Sequence, residues 1–250
     1  MQIKDLLKIQ YTPQEIAEKR AEIRRLLISG SSNINSGEIN RIAVSDLELL
    51  FEYYDAAFFK GYFRKYFPGK LRFSLSTQMT RNAGKTNYLR NLPGLRPEQE
   101  DYEIRIGVNF FFNYNKLQRN KAVNGIITKD ALEALQLVFE HELVHLIELH
   151  CCRKSSCRKE RFKTLAKQLF GHLDRYHHLP TEKEIAASRY GFKSGDWVCF
   201  SHGGRKQTGI IYRINKRATV MVPDGEGIFQ DQQGQKYSKW YVPITALEKI

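Results

Sequence analysis

Cysteine is scarce in this chain, acidic residues are outnumbered, and long apolar runs are missing. Four cysteines occur in 250 residues (Cys151, Cys152, Cys157 and Cys199). That is too few for a disulfide scaffold, and three of them crowd one segment. Without an export signal, such crowding points to metal or reduced thiol. The opening "MQIKDLLKIQYTPQE" has no apolar core and no small-residue cleavage site, so no secretory signal is expected. No run approaches the ~20 apolar residues that span a bilayer. The expected compartment is cytoplasmic, nucleoid-associated if the chain binds DNA. Low-complexity tracts and long internal repeats are also absent. What is present in excess is positive charge: 40 Lys and Arg against 27 Asp and Glu, a net +13. That balance points to a polyanionic partner, most commonly nucleic acid, against the plainer reading of a solubilising surface. A hydrophobic content of 42% excludes general disorder, and the length fits one large or two small domains.

Periodicity divides the chain. Thr12, Pro13 and Glu15 form a helix start with a capping box, and Ile16, Ile23, Leu26 and Leu27 repeat at helical spacing. "SGSSNINSG" (29–37) ends that helix as a polar loop. Ser45 with Glu48 predicts a second capping box, opening one long apolar helix that runs to Pro68-Gly69. The period then changes to two. "LRFSLST" (71–77), "AGKTNYLR" (83–90) and "YEIRIGV" (102–108) predict a small three-stranded sheet. Thr128 is the expected cap of a helix through "DALEALQLVFEHELVHLIELH", which "CCRKSSCRK" interrupts before a further helix, "ERFKTLAKQLFGH". Thr181 with Glu184 starts a short helix ending near Tyr190. From Lys193 onward, short β runs separated by Gly-rich turns predict a five-stranded SH3-like barrel. The expected class is α+β, with one domain over 1–192 (core 45–180) and the barrel over 193–250.

The chemically informative stretch is "ALQLVFEHELVHLIELHCC" (134–152). It holds His141-Glu142-Leu143-Val144-His145, an H-E-x-x-H pentapeptide in an apolar helix. One turn apart, His141 and His145 reach one ion, and Glu142 on the flank can take a proton from water. Zn2+ suits two neutral imidazoles and lowers the pKa of a bound water to about 7. Without a metal or hydrogen-bond partners, two buried histidines beside a buried glutamate would be a costly core. The third ligand is open. His150 lies nine residues past His141, on the opposite face. Glu148 falls on the ligand side and is placed to orient an imidazole. Cys157 is the leading candidate: it is expected at the next helix start, where the helix N-terminus and neighbouring cations favour a thiolate. Glu160, His172, His177 and His178 are the alternatives.

At these residues the chain resembles the SprT-like (Spartan-like) zinc metalloproteases. The resemblance is carried by "FSLSTQMTRNAGKTNY", "YEIRIGVNFF", "ALQLVFEHELVHLIE" and "RFKTLAKQLFGH", over about residues 47–178. It implies a minimal zincin fold and, in several members, nucleic-acid-dependent cleavage of proteins bound or crosslinked to DNA, hence a part in DNA–protein crosslink repair. Family members generally supply the third ligand from a histidine-glycine pair four positions before an aromatic residue. Here that position before Phe162 is Arg158. The zinc-binding tail of some relatives is replaced by the β-rich tail, whose "GIIYRINKRATVMV" looks like a KOW or SH3-like hairpin.

Two function classes follow. One is a zinc endopeptidase for nucleic-acid-associated proteins, with Glu142 as general base, His141, His145 and Cys157 on the metal, and the strand at 102–108 as a substrate-aligning edge. The other is a non-catalytic nucleic-acid-binding protein with a structural zinc. The nucleic-acid contacts expected are Arg153, Lys154, Arg158, Lys159 and Lys163, from a run also holding Arg161 and Lys167, with Lys216 and Arg217 in the tail. The plain reading of that run is a solvated helix face.

Overall fold

The computed structural model describes residues 3–250, which divide at Leu179/Pro180 into two compact units. Both helices and small sheets are present, so the class is α+β. The boundary lies earlier than the 192/193 division expected from composition. The short helix α7 (Glu182–Tyr190) belongs to the second unit because its Ala186 shares a core with Phe192, Val198 and Ile211.

The first unit begins with a short 3-10 turn (Ile3–Lys8) and helix α1 (Pro13–Gly30). The Glu15 carboxylate accepts the Thr12 amide at 2.7 Å and the Thr12 hydroxyl accepts the Glu15 amide at 3.3 Å, the reciprocal box read from sequence. Helix α2 (Val44–Phe59) starts differently from expectation, with Ala43 rather than Ser45 as its cap. The reason is Asp46. Its buried carboxylate takes the Ala43 amide at 2.6 Å and the Ser31 hydroxyl at 2.6 Å, so the cap also ties down the preceding loop. The long helix also breaks early. Lys60 and Gly61 both adopt positive φ, and the Asp55 carboxylate accepts the amides of Phe63 and Arg64 at 3.0 Å, starting the separate helix α3 (Tyr62–Tyr66).

Strands β1 (Lys70–Ser76), β2 (Gly84–Tyr88) and β3 (Asp101–Gly107) form a sheet in the order β1-β3-β2. β3 is parallel to β1 and antiparallel to β2, so its expected role as an edge is wrong. Its inward Tyr102, Ile104 and Ile106 are fully buried, which is why it is central. The free edge beside the histidine helix belongs to β2. After helix α4 (Asn109–Phe112) comes a hairpin of β4 (Lys121–Val123) and β5 (Ile126–Thr128), unforeseen from sequence.

Helix α5 (Ala131–Cys152) is the axis of this unit. Its cap is Asp130, which accepts the Glu133 amide at 2.9 Å and is clamped by Arg24 at 2.7 and 2.9 Å. Thr128 instead ends β5, hydrogen-bonded to Tyr114. Seventeen of the 22 residues of α5 are buried, so its rotation is fixed on every side. Behind it packs an aromatic cluster, with Tyr54 and Phe139 centroids 5.9 Å apart and Phe58 and Phe170 centroids 4.9 Å apart. Phe170 comes from helix α6 (Glu160–Phe170).

The second unit carries strands β6 (Trp197–His202), β7 (Arg205–Ile214), β8 (Ala218–Pro223), β9 (Phe229–Gln230), β10 (Lys236–Val242) and β11 (Glu248–Lys249). They form one six-stranded antiparallel sheet in the order β11-β6-β7-β8-β10-β9. The two-residue end strands do not pair with each other, so the sheet is open rather than the closed five-stranded barrel expected. No helix among the described residues is long and apolar enough to cross a membrane.

Candidate metal centre

The residues His141, His145 and Cys157 converge: one donor atom from each lies within 4.8 Å of the others. The helix supplies the first two, one turn apart. The chain then leaves α5 through Arg153, whose φ of 59° reverses its direction and returns Cys157 toward the histidines. Cys157 therefore sits in a turn three residues before α6, not at its first turn as expected. Phe162 packs beneath both imidazoles, with centroids 4.8 Å from His141 and 4.5 Å from His145.

His145 is oriented by a relay. Its Nδ1 lies 2.7 Å from the Ser155 hydroxyl, which donates to Glu148 at 2.6 Å. Arg161 donates to the other oxygen of Glu148 at 2.6 Å. Glu148 thus orients an imidazole, through Ser155, and the Nε2 of His145 is left for the cleft. Burial holds both histidines neutral: it drives His141 well below the usual imidazole range and His145 down to about 4. Neutral imidazoles beside a thiol make a donor set suited to zinc.

Glu142 is held by the edge strand. The Thr86 hydroxyl donates to its Oε2 at 2.7 Å, and a Cβ on Gly84 would stand 2.7 Å from its Oε1. Glycine is therefore what allows β2 to close on this carboxylate. Burial raises the Glu142 carboxyl to about 7, against the lowering effect of the Thr86 hydrogen bonds. These groups open on a cleft of about 510 Å³ that Gly84, Thr86, Arg158, Tyr176 and His177 also line.

The other ligand candidates stand outside this cluster. His172 is buried on the far side of α5, its Nε2 2.9 Å from Glu140. Glu160 is exposed and pairs with Lys163 at 3.2 Å. His177 lines the cleft but accepts the Ala83 amide at 3.1 Å, and His178 is exposed. His150, opposite the site, bonds Glu100 at 2.7 Å.

The basic run divides. Arg153 donates to the buried Glu100 and Arg161 to Glu148, so both serve the fold and neither is a free phosphate contact. Lys154, Arg158 and Lys159 are exposed, and Arg158 stands at the cleft. Lys163 is exposed but shared with Glu160. Lys216 and Arg217 are exposed in the β7–β8 turn of the second unit.

Sequence reasoning missed Gly84, Thr86 and Ser155. From sequence, "GKT" (84–86) reads only as part of a strand and "SS" (155–156) only as a helix interruption. Compared with protein-family models, curated proteins and solved structures, the chain matches none of them.

Proposed function

We propose that this chain is a zinc-dependent endopeptidase acting on proteins associated with nucleic acid. One observation supports it above the others: His141, His145 and Cys157 converge beside a carboxylate, Glu142, that burial raises to about 7. A closed structural site takes four protein ligands, and a catalytic one keeps an open position. Three donors facing an open cleft favour catalysis. The order of strand, strand, strand and H-E-x-x-H helix supports a minimal zincin of the SprT-like kind. Short antiparallel strands support an SH3-like reading of the tail.

A zinc ion held there would act as Lewis acid toward water and the scissile carbonyl. The protein supplies the rest. With Oε2 of Glu142 occupied by Thr86, Oε1 takes the proton from water and returns it to the leaving amine. The free edge of β2 can pair with an extended substrate and align its carbonyl with that carboxylate. Lys154, Arg158 and Lys159, with the overall +13, support the nucleic-acid partner.

The test is metal analysis joined to cleavage of a DNA-bound protein. Purified full-length protein should carry about one zinc per chain. His141→Ala should lose it, and Glu142→Gln should keep it while losing cleavage. Undiminished proteolysis in Glu142→Gln would refute the mechanism.

A further inference from the structure

The outer face of the second unit's sheet carries aromatic and cationic side chains in register across four strands. Val198, Phe200, Ile211, Val220, Val222 and Val242 point into the core. Their neighbours in sequence must point the other way, because strand side chains alternate. Trp197, Ile210, Met221 and Lys239 pair in one row across β6, β7, β8 and β10. Arg213, Thr219 and Tyr241 pair in the next row. A register shift between Ile211 and Arg213 makes Tyr212 the bulged residue and turns it out to solvent.

The exposure of these rings is unusual. Trp197 is 46% exposed, Tyr241 64% and Tyr212 65%. Large aromatic rings on a sheet face are normally buried against a second layer. Ile210 and Met221 make a half-buried apolar floor between Trp197 and Lys239, and no acidic residue stands in either row. Three strand spacings put the two ends of a row roughly 14 Å apart, a span that several bases of an extended strand can cross.

We infer that this face binds single-stranded nucleic acid, with Trp197 and Tyr241 stacking on bases and Arg213 and Lys239 contacting backbone phosphates. Aromatic rings on a basic sheet stack any unpaired base, whereas duplex bases are already stacked on each other. Charge complementarity favours this occupant: two cations and no carboxylate in the rows suit a polyanion. The inference sharpens the nucleic-acid half of the proposed function and does not depend on the metal.

The experiment is fluorescence anisotropy of a labelled oligothymidylate of about 12 nucleotides, titrated with full-length protein at fixed salt. Trp197→Ala and Tyr241→Ala should each weaken binding about tenfold, since one stacked base contributes about 1–3 kcal/mol. Tyr241→Phe should bind as wild type, because stacking uses the ring and not the hydroxyl. Zinc content should be unchanged in all three variants. Titration should also quench tryptophan fluorescence in wild type, and Trp197→Phe should lose most of that quenching. Strand binding that is equal in wild type and both alanine variants would overturn the site and leave the nucleic-acid reading to the first unit. No binding of any nucleic acid by wild type would overturn both. A proline-rich peptide that quenches Trp197 where the oligonucleotide does not would reassign the face to a protein partner.

Discussion

Glu140 and Glu142 stand two positions apart on one helix, both buried, and their surroundings make them opposite kinds of acid. Burial alone would raise the Glu140 carboxyl. Arg20, bidentate at 2.8 Å, and His172 at 2.9 Å instead bring it down to about 2. Glu142 meets burial with no cation at all, only the Thr86 hydroxyl, and rises to about 7. The rear face of α5 is thus an ion pair that fixes the helix, and its cleft face carries a carboxyl that burial brings to about 7. One helix sets its two carboxyls apart by which face receives an arginine.

The largest expected effect breaks the cleft side. Glu142→Gln should lower cleavage by about 10²–10⁴-fold, the usual contribution of a general base, with zinc content unchanged. On the rear side, Arg20→Ala takes the arginine from the buried Glu140 and leaves it only His172 and the Tyr54 hydroxyl. It should destabilise the protein by about 3–5 kcal/mol in urea unfolding, as loss of one partner of a buried pair does. Its active fraction should still hold zinc.

A pH comparison sharpens the contrast. The folded pKa of Glu142, about 7, lies above its unfolded value of 4.5, so folding binds a proton that the unfolded chain releases. That stability is complete below pH 4.5 and is lost as pH rises through 7. In metal-free protein, Glu142→Gln should therefore be more stable than wild type by about 3 kcal/mol above pH 7 and equal below pH 4.5. His145 runs the other way. Its folded pKa of about 4 means stability present above 6.5 and lost as pH falls through 4. Metal-free wild type is thus squeezed from both sides, and thermal melts across pH for both proteins separate the two limbs. The smallest effect concerns Thr86. Thr86→Val removes a bond that lowers the Glu142 carboxyl, and should move the acid limb of the activity profile upward, with a loss of about 1 kcal/mol in cleavage. An unmoved limb would mean that Thr86 only packs.

The sequence carries the local parts of this account and loses the distant ones. Spacing alone brings His141 and His145 to one side of α5, and the boxes at Thr12 and Thr181 appear as read, because each depends on residues within a few positions. Cys157 leads the sequence candidates because a helix start and neighbouring cations would favour its thiolate, whereas its convergence with the histidines depends on the αL turn at Arg153. No pattern foretold that turn, since a positive φ at arginine has no sequence signal. The caps at Ala43 and Asp130 were misread because Asp46 and Asp130 are recruited by Ser31 and Arg24, far away in sequence. Arg153 reads as a phosphate contact and Arg161 as part of the same basic run, yet buried Glu100 and Glu148 claim them. Charge in a sequence does not reveal its partner. The edge of the sheet was misassigned for the same reason: strand order is a tertiary fact, and β3 alternates like any half-exposed strand.

Zinc K-edge X-ray absorption on the purified full-length protein tests the central claim most directly, because it counts the atoms around the metal. The account predicts two imidazole nitrogens and one sulfur at about 2.3 Å, with the sulfur shell gone in Cys157→Ser. A zinc shell of nitrogen and oxygen alone in wild type, or a protein that holds no zinc, would contradict it.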